Sequence, residues 1–276
     1  MGRSKAPNFE HILVIGNGFD LALGLPTSYS DFLKSNQFAK LLEQKNHIAA
    51  HLRDKLEIQR WVDIEQEFPV LSNKNTHRTS DFFMEYKQLC GSLADYVNEL
   101  DYTKLDKSSD PSQIVEGLIK DGGLCILNFN YTNTIGLLFP EHESNFEHIH
   151  VHGKAEKQQI VFGVEDKAKI DSDHVFLRKA VSPGLYTDWT VAEYMKTAEK
   201  TVNIYGHSLG QTDTNQFYSF FGPGEHGDKS IINIYYHTES SYFEKFKEIE
   251  RLTSQNLQRF QTQHELNMIG PEITLS

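Results

Sequence analysis

The chain has 276 residues, with 27 Lys and Arg against 38 Asp and Glu and a formal charge of -11 at pH 7. This length buries enough surface for a stable core without disulfides or metals. The negative charge opposes nonspecific binding to nucleic acid or anionic lipid, so we expect a small ligand or a protein partner. The first residues, MGRSKAPNFE, lack the apolar core of a signal peptide, and no apolar run approaches the roughly 20 residues of a membrane helix. We therefore expect a cytoplasmic protein without a membrane partner.

Short β-branched runs recur along the chain. Residues 11–15, His-Ile-Leu-Val-Ile, end at a glycine, which is typical of a strand buried on both faces of a parallel sheet. Similar runs follow at 124–129, 148–153, 159–163, 201–206 and 230–236. Helical stretches separate several of them, and strand alternating with helix indicates an α/β fold.

About a hundred residues between the first two runs are rich in Leu, Lys, Glu and Gln, which predicts helices. We predict one α/β domain over 1–276 with a helical insertion or lid at 30–120, and one long amphipathic helix over 240–263. Within the insertion, apolar residues at steps of three and four predict a helix that packs into a core: Phe82, Phe83, Tyr86, Leu89, Cys90, Leu93, Tyr96, Val97 and Leu100.

The first run leads into a glycine turn, in the stretch ILVIGNGFDLALGLPTSYSDF. Gly16-Asn17-Gly18 at the entry to a helix could point backbone amides at a phosphate. The dinucleotide fingerprint GxGxxG has a third glycine where this chain has Leu21. A plain strand-to-helix turn therefore stays open as an alternative.

Polar residues follow the later runs. NFNYTNT ends the second one, where open α/β sheets bind ligands, and Asn130 there either faces a ligand or caps the next helix. In HIHVHG, the alternating His148, His150 and His152 are predicted to share one strand face, and a histidine is a natural general base near neutral pH.

A further polar turn, in YGHSLGQTDTNQF, precedes a helix that Asp213 or Thr214 could cap. In WVDIEQEF, the acids Asp63, Glu65 and Glu67 face either solvent or a ligand cleft. We favour solvent for these acids because charged groups are seldom buried unpaired.

Taken together, these stretches resemble the AbiH family of bacterial abortive-infection proteins, which act in defence against phage. The resemblance covers roughly residues 11–240, and GNGFDLALGLPTSY is its most specific part; the stretches that carry it are IGNGFDLALGLPTSYSDF, WVDIEQEF, NFNYTNT, HVHG, FGVED and IYGHSLGQTD. A more distant similarity, in the order glycine turn, asparagine motif and His-Gly pair, links the chain to sirtuin and SIR2-like families. That similarity implies a Rossmann-like parallel sheet with helices on both faces and NAD as ligand.

The SIR2-like resemblance also implies residue roles. Asn130 falls on the catalytic asparagine, and His152, followed by Gly153, falls on the general base. Thr132 replaces the aspartate usual at that position, and Thr27-Ser28-Tyr29 replaces the Asp-Phe-Arg of deacylating sirtuins, which argues against acyl-lysine chemistry. The positions implied to contact NAD are Gly16, Asn17, Gly18, Phe19, Asp20, Pro26, Thr27, Tyr131, Gly206, Ser208 and Asp213.

Three hypotheses for function follow. The first is an NAD glycohydrolase that releases nicotinamide and ADP-ribose, and the second is a nucleotide-sensing module without catalysis. The third is a metal-dependent phosphoester hydrolase that uses the three histidines with Asp166, although a flat strand would spread those histidines over about 13 Å. We expect no metal, since only Cys90 and Cys125 occur and a four-cysteine zinc site cannot be built. The sequence leaves open a homo-oligomer or a regulatory protein partner.

Overall fold

The computed structural model describes residues 6–59, 63–75, 77–181, 190–196, 199–223 and 229–271. The strands within these residues are β1 His11–Ile15, β2 Leu124–Asn128, β3 Phe146–His150, β4 Gly153–Lys154, β5 Gln159–Ile160, β6 Thr201–Tyr205, β7 Ile231–Tyr235 and β8 Glu265–Ile269. Six of these strands form one parallel sheet in the order β3-β2-β1-β6-β7-β8, while β4 and β5 form a small antiparallel pair.

Helices connect the strands. The α-helices of the described residues are α1 Asn17–Ala22, α2 Tyr29–Phe32, α3 Asn36–Glu43, α4 His47–Gln59, α5 Ile64–Lys74, α6 Thr79–Asn98, α7 Asp110–Asp121, α8 Thr134–Leu138, α9 Val191–Met195, α10 Thr214–Phe221, α11 Glu239–Leu252 and α12 Leu257–Gln263. Short 3-10 helices lie at Tyr102–Lys104, Pro140–Asn145, Ala155–Lys157, Ser172–Leu177, Lys179–Val181 and Gln211–Asp213. None of these helices, in the described part of the chain, is both long enough and apolar enough to cross a bilayer.

The sheet is covered by helices on both faces, which confirms the predicted α/β, Rossmann-like fold. On one face, Leu13 and Ile126 pack with α7 and α8. On the other face, Ile12 and Val14 pack with α9, α10, α11 and α12. The alternation follows from the strand pleat, since neighbouring side chains of a strand point to opposite faces. The strand order reverses between β1 and β6, which is where open α/β sheets form a ligand crevice.

Four helices between β1 and β2, α3 to α6, form the helical region, which has a core of its own. Apolar side chains of α3, α4, α5 and α6 pack there with Phe162, Val164 and Leu177, which follow β5. The predicted apolar stripe on α6 is buried at Phe82, Tyr86, Leu89, Cys90, Leu93 and Val97, whereas Phe83 is 39% exposed. The stripe therefore attaches the helical region to the segment that follows β5.

Two predicted elements are wrong in extent. The single helix over 240–263 is divided into α11 and α12, because Ser254 and Gln255 adopt positive φ between them, and the strand β8 that follows was not predicted. The strand expected at 159–163 is only the two residues of β5. Local polarity cannot reveal either break, since both depend on where the chain turns against the sheet.

Candidate active site

The turns after β1, β2, β3 and β6 surround one cavity of about 220 Å³. It lies at the carboxyl ends of these parallel strands, beside the point where the strand order reverses. Side chains of the helical region close its other side. The lining residues are Gly16, Asn17, Asp20, Thr27, Tyr29, Asp63, Glu65, Leu93, Tyr96, Val97, Phe129, Asn130, Tyr131, Thr132, His152, Gly206, His207, Ser208, Thr212 and Asp213.

Glycines bring the turns after β1 and β6 into direct backbone contact. The Gly18 amide donates to the Gly206 carbonyl at 3.0 Å, and the Gly16 amide donates to the Tyr205 carbonyl at 3.1 Å. A Cβ on Gly16 would lie 2.6 Å from the His207 Cα. Gly206 has a φ of 69°, in the left-handed region that favours glycine. These glycines therefore make room for a neighbouring turn, and the amides of Gly16 and Gly18 are not free for a phosphate.

Asp20, on α1, is a buried carboxylate at the cavity. It accepts hydrogen bonds from Thr132 Oγ1 at 2.6 Å and Thr134 Oγ1 at 3.0 Å. Burial raises the pKa of Asp20 to about 6, and these hydroxyls oppose that rise. Where the SIR2-like pattern has an aspartate, this chain thus has a threonine in contact with the carboxylate of Asp20.

Asn130 is held at the junction of two turns. Its backbone amide donates to Asn128 Oδ1 at 2.8 Å, and its side-chain Nδ2 donates to the Gly16 carbonyl at 3.1 Å. The next helix, α8, has Asn133 at its N-cap position. Asn130 therefore does not cap that helix, and its amide group lies at the cavity wall.

His152 lies two residues beyond the end of β3, so the prediction that it shares a strand face with His148 and His150 is wrong. Its Nε2 lies 3.0 Å from Asp213 Oδ1, and its ring packs edge-on against Phe129 at 5.1 Å between centroids. His148 and His150 lie against each other on β3, 4.4 Å apart, and do not line the cavity. The chain turn after β3 therefore separates the three histidines.

Asp213 joins three side chains. Its Oδ1 lies 3.0 Å from both His152 Nε2 and Lys179 Nζ, and its Oδ2 lies 3.5 Å from His207 Nε2. It occupies the N-cap position of α10 without a side-chain capping hydrogen bond, and Thr214 is the first helical residue. Neither residue makes the predicted cap, because the Asp213 carboxylate points to the histidines and the lysine.

Lys179 connects the sheet side of the cavity to the helical region. Its Nζ donates to Asp213 Oδ1 at 3.0 Å, to the Thr212 carbonyl at 3.0 Å and to Glu65 Oε2 at 3.1 Å. Glu65 lies on α5, and its Oε1 accepts a hydrogen bond from the Gly163 amide at 3.0 Å. The Lys179 side chain is 13% exposed and that of Glu65 is 7% exposed. A largely buried cation thus lies between two buried carboxylates.

The environment changes the protonation of these groups. Burial lowers the pKa of His152, and the charge of Lys179 lowers it further, while Asp213 acts in the opposite direction. Burial tends to raise the pKa of Asp213, but Lys179 and His152 hold it well below its usual value. Burial raises the pKa of Glu65 to about 7, against the effect of Lys179. His152 is therefore a neutral imidazole beside an ionised carboxylate at neutral pH.

Ten of the residues predicted for the site line the cavity: Gly16, Asn17, Asp20, Thr27, Asn130, Tyr131, His152, Gly206, Ser208 and Asp213. Three others do not. Gly18 packs against Gly206, Phe19 is 1% exposed in the core, and the Pro26 carbonyl accepts a hydrogen bond from Tyr96 Oη at 2.6 Å. These three residues therefore stabilise the turn through contacts within the protein and not through a ligand.

Several site residues were missed from sequence. Glu65 was expected in solvent, and that expectation is wrong, since it lines the cavity together with Asp63; Trp61 of the same motif lies outside the described residues. His207 stands in the quoted YGHSLGQTD motif but received no role. No motif marked Lys179, because a lone lysine in a polar stretch ordinarily faces solvent.

No group of three or more His, Cys, Asp or Glu side chains among the described residues is arranged to hold a metal ion. The three histidines that the metal hypothesis requires do not come together. His152 contacts Asp213, and the other two histidines lie apart on β3.

The fold and the cavity define a Rossmann-like α/β protein with a candidate ligand site where its strand order reverses. Residues 12–269 match the family model described as Bacteriophage abortive infection AbiH. The chain belongs to this family, which indicates a role in bacteriophage abortive infection. A search of curated proteins found no match.

Proposed function

We propose that the cavity binds the nicotinamide half of NAD and that the protein hydrolyses NAD to nicotinamide and ADP-ribose. The observation that carries the proposal is the meeting of Asn130 and His152 at one cavity, with His152 oriented by Asp213. A base oriented by a carboxylate is the arrangement that general-base catalysis uses. In an abortive-infection family, loss of NAD would stop both the phage and its host.

The charge of the cavity supports a cationic ligand. Asp20, Asp63, Glu65 and Asp213 line it, whereas Lys179 is already bound to two of these carboxylates. The nicotinamide ring of NAD is a cation, and cleavage of its glycosidic bond passes through a cation on the ribose. Preorganised anionic groups stabilise such developing positive charge. The same acids disfavour a phosphate, so the pyrophosphate belongs at the mouth of the cavity.

The size of the cavity supports the same orientation. Pockets that enclose drug-sized ligands usually measure on the order of 300–1,000 Å³, and this one measures about 220 Å³. It therefore suits a nicotinamide ring and ribose rather than a complete dinucleotide.

In the proposed reaction, Asn130 orients the ribose and the water. The water oxygen forms a bond to C1′ as the bond between C1′ and the nicotinamide nitrogen breaks. The bonding electrons leave with nicotinamide, which becomes neutral. His152 takes the proton of the water and later releases it to solvent. Asp213 stabilises the imidazolium that exists between these two steps.

The test is chromatography of NAD, nicotinamide and ADP-ribose. It is run with the purified full chain and with extracts of phage-infected cells that express it, because a toxic activity is often silent until triggered. We expect NAD loss that His152→Ala and Asn130→Ala each abolish while circular dichroism shows both variants still folded at the assay temperature. His150→Ala is the matched control, since this histidine lies outside the cavity, and it should retain turnover.

Intact NAD in both settings would contradict the proposal. Calorimetric binding of NAD without product in either setting would instead select the nucleotide-sensing module. In that case His152→Ala should weaken binding and leave NAD levels unchanged.

A further inference from the structure

We propose that Lys179 is a positioning residue that keeps the His152 imidazole neutral and fixed against Asp213. The kinetic consequence rests on the proposed function, whereas the protonation of His152 can be measured without it. Lys179 carries no motif in the sequence, and only its contacts in the fold mark it out.

A shared oxygen atom is the basis for this inference. Asp213 Oδ1 lies 3.0 Å from His152 Nε2 and 3.0 Å from Lys179 Nζ. Two donors on one carboxylate oxygen must approach from different directions, so the lysine restricts the rotation of the carboxylate. His152 then donates from Nε2, which leaves Nδ1 as the nitrogen that can accept a proton. Lys179 therefore fixes the tautomer and the aim of the imidazole through Asp213.

The lysine also offsets the charge of the carboxylate. An isolated carboxylate in contact with a histidine favours the imidazolium form, which cannot act as a base. Burial and Lys179 lower the pKa of His152, and Asp213 raises it. Removing the lysine takes away one lowering cause and leaves burial alone to oppose the effect of Asp213, so the pKa of His152 should move upward.

Other ionisable groups surround this pair. His207 contacts the second oxygen of Asp213, and its carbonyl accepts a hydrogen bond from the Lys245 ammonium. Glu65 contacts the same Nζ of Lys179 at 3.1 Å. The remaining ionisable groups that line the cavity are Asp20, Asp63, Tyr29, Tyr96 and Tyr131. Glu165 also interacts electrostatically with Asp213 and Lys179. Among these groups, only Lys179 places a cation on the oxygen that His152 contacts.

The helical region holds Lys179 in place. Glu65 Oε2 and the Thr212 carbonyl accept its other two hydrogen bonds, and Glu65 is itself fixed by the Gly163 amide. Helix α5 thus reaches the His152-Asp213 pair through one lysine side chain. Glu65 contacts this lysine rather than His152 itself, so we expect its main effect on His152 to pass through the lysine.

The experiment is an NMR titration of histidine ring signals in the full chain, with His152 assigned from a His152→Gln variant. Lys179→Met should raise the His152 midpoint by about one pH unit or more, and Lys179→Arg should leave it near the parent value. Lys55→Met is the matched control. Lys55, on α4, pairs at 3.3 Å with Glu67, which lies on α5 as Glu65 does. This pair lies outside the cavity, so removal of Lys55 should leave the midpoint unchanged.

Lys179→Met leaves two carboxylates without their cation, so the double variant Glu65→Gln/Lys179→Met is measured beside it. The double variant removes one of these carboxylates and should show the same upward shift. An unchanged His152 midpoint in either variant, once folded, would overturn the inference.

Kinetics separates this inference from the proposed function. If NAD is hydrolysed, the acidic limb of the pH–rate profile of Lys179→Met should move to higher pH together with the NMR midpoint. At pH values well above that limb, its rate should return to that of the parent. A merely structural role would lower the rate at every pH and would contradict the inference. A shifted midpoint with intact NAD in all variants would refute the proposed function and support the role of Lys179.

Discussion

Gly18 and Gly206 lie back to back between the turns after β1 and β6. The Gly18 amide donates to the Gly206 carbonyl at 3.0 Å, and a Cβ on Gly18 would come within 2.7 Å of the Gly206 Cα. The close approach is between backbones, which no rotamer change can relieve. The two glycines therefore fix the distance between the turns that carry Asn17 and His207 into the cavity.

Gly18→Ala should lower the free energy of unfolding by about 3 kcal/mol, because the added methyl overpacks a backbone contact. Urea denaturation measures the change. Gly117→Ala is the control, since a Cβ at this helical position meets nothing within 4 Å and should stabilise the protein by roughly 0.5–1 kcal/mol. Equal effects of the two substitutions would show that the contact between the turns does not constrain the fold.

Asp20→Asn should change how stability depends on pH. The pKa of Asp20 is raised by burial from 3.8 to about 6, so the folded protein binds more protons than the unfolded chain in that interval. Its contribution to stability is fully present below the unfolded pKa and is lost as pH rises through about 6.

The free energy of unfolding of Asp20→Asn, relative to that of the parent, should therefore increase by about 2–3 kcal/mol from pH 4 to pH 7. Urea titrations at several pH values provide the measurement. A difference between the two proteins that stays constant over this interval would mean that Asp20 titrates normally in the fold.

Thr132→Asp should destabilise the protein by about 3 kcal/mol or more, since it places a second carboxylate beside Asp20 in a buried setting. The parent distance from Thr132 Oγ1 to Asp20 Oδ2 is 2.6 Å. Adding Asp20→Asn should recover at least half of the loss, because one carboxylate then remains with an amide donor. A double-mutant cycle in urea measures this coupling, and additive effects would exclude direct contact between the two positions.

Asp213→Asn should reduce NAD turnover by about 100-fold or more, because the amide no longer stabilises the His152 imidazolium. It should also cost about 3–5 kcal/mol of stability, since Lys179 loses a buried partner. Chromatographic rates and calorimetric NAD binding separate the two effects. Asp173→Asn, an exposed aspartate, is the control and should match the parent; unaltered turnover in Asp213→Asn would remove this residue from the proposed mechanism.

The sequence alone determined the α/β class and the position of the polar turns. β-branched runs that end in glycine or asparagine placed β1, β2 and β6, because strands buried on both faces leave a continuous apolar signal. The turns after β2, β3 and β6 supplied Asn130, His152 and Asp213, since the carboxyl ends of parallel strands meet at one edge of a sheet.

Tertiary structure decided which side chains meet at that edge. Glu65 and Lys179 are 114 positions apart in the chain, and each alone has the composition of a solvated surface. Their contact with each other, together with the contact between Lys179 and Asp213, offsets the cost of burying these charges, because a buried charge needs a partner that local sequence does not supply. The turn after β3, which separates His152 from His148 and His150, likewise depends on packing against the helical region rather than on the alternation of residues.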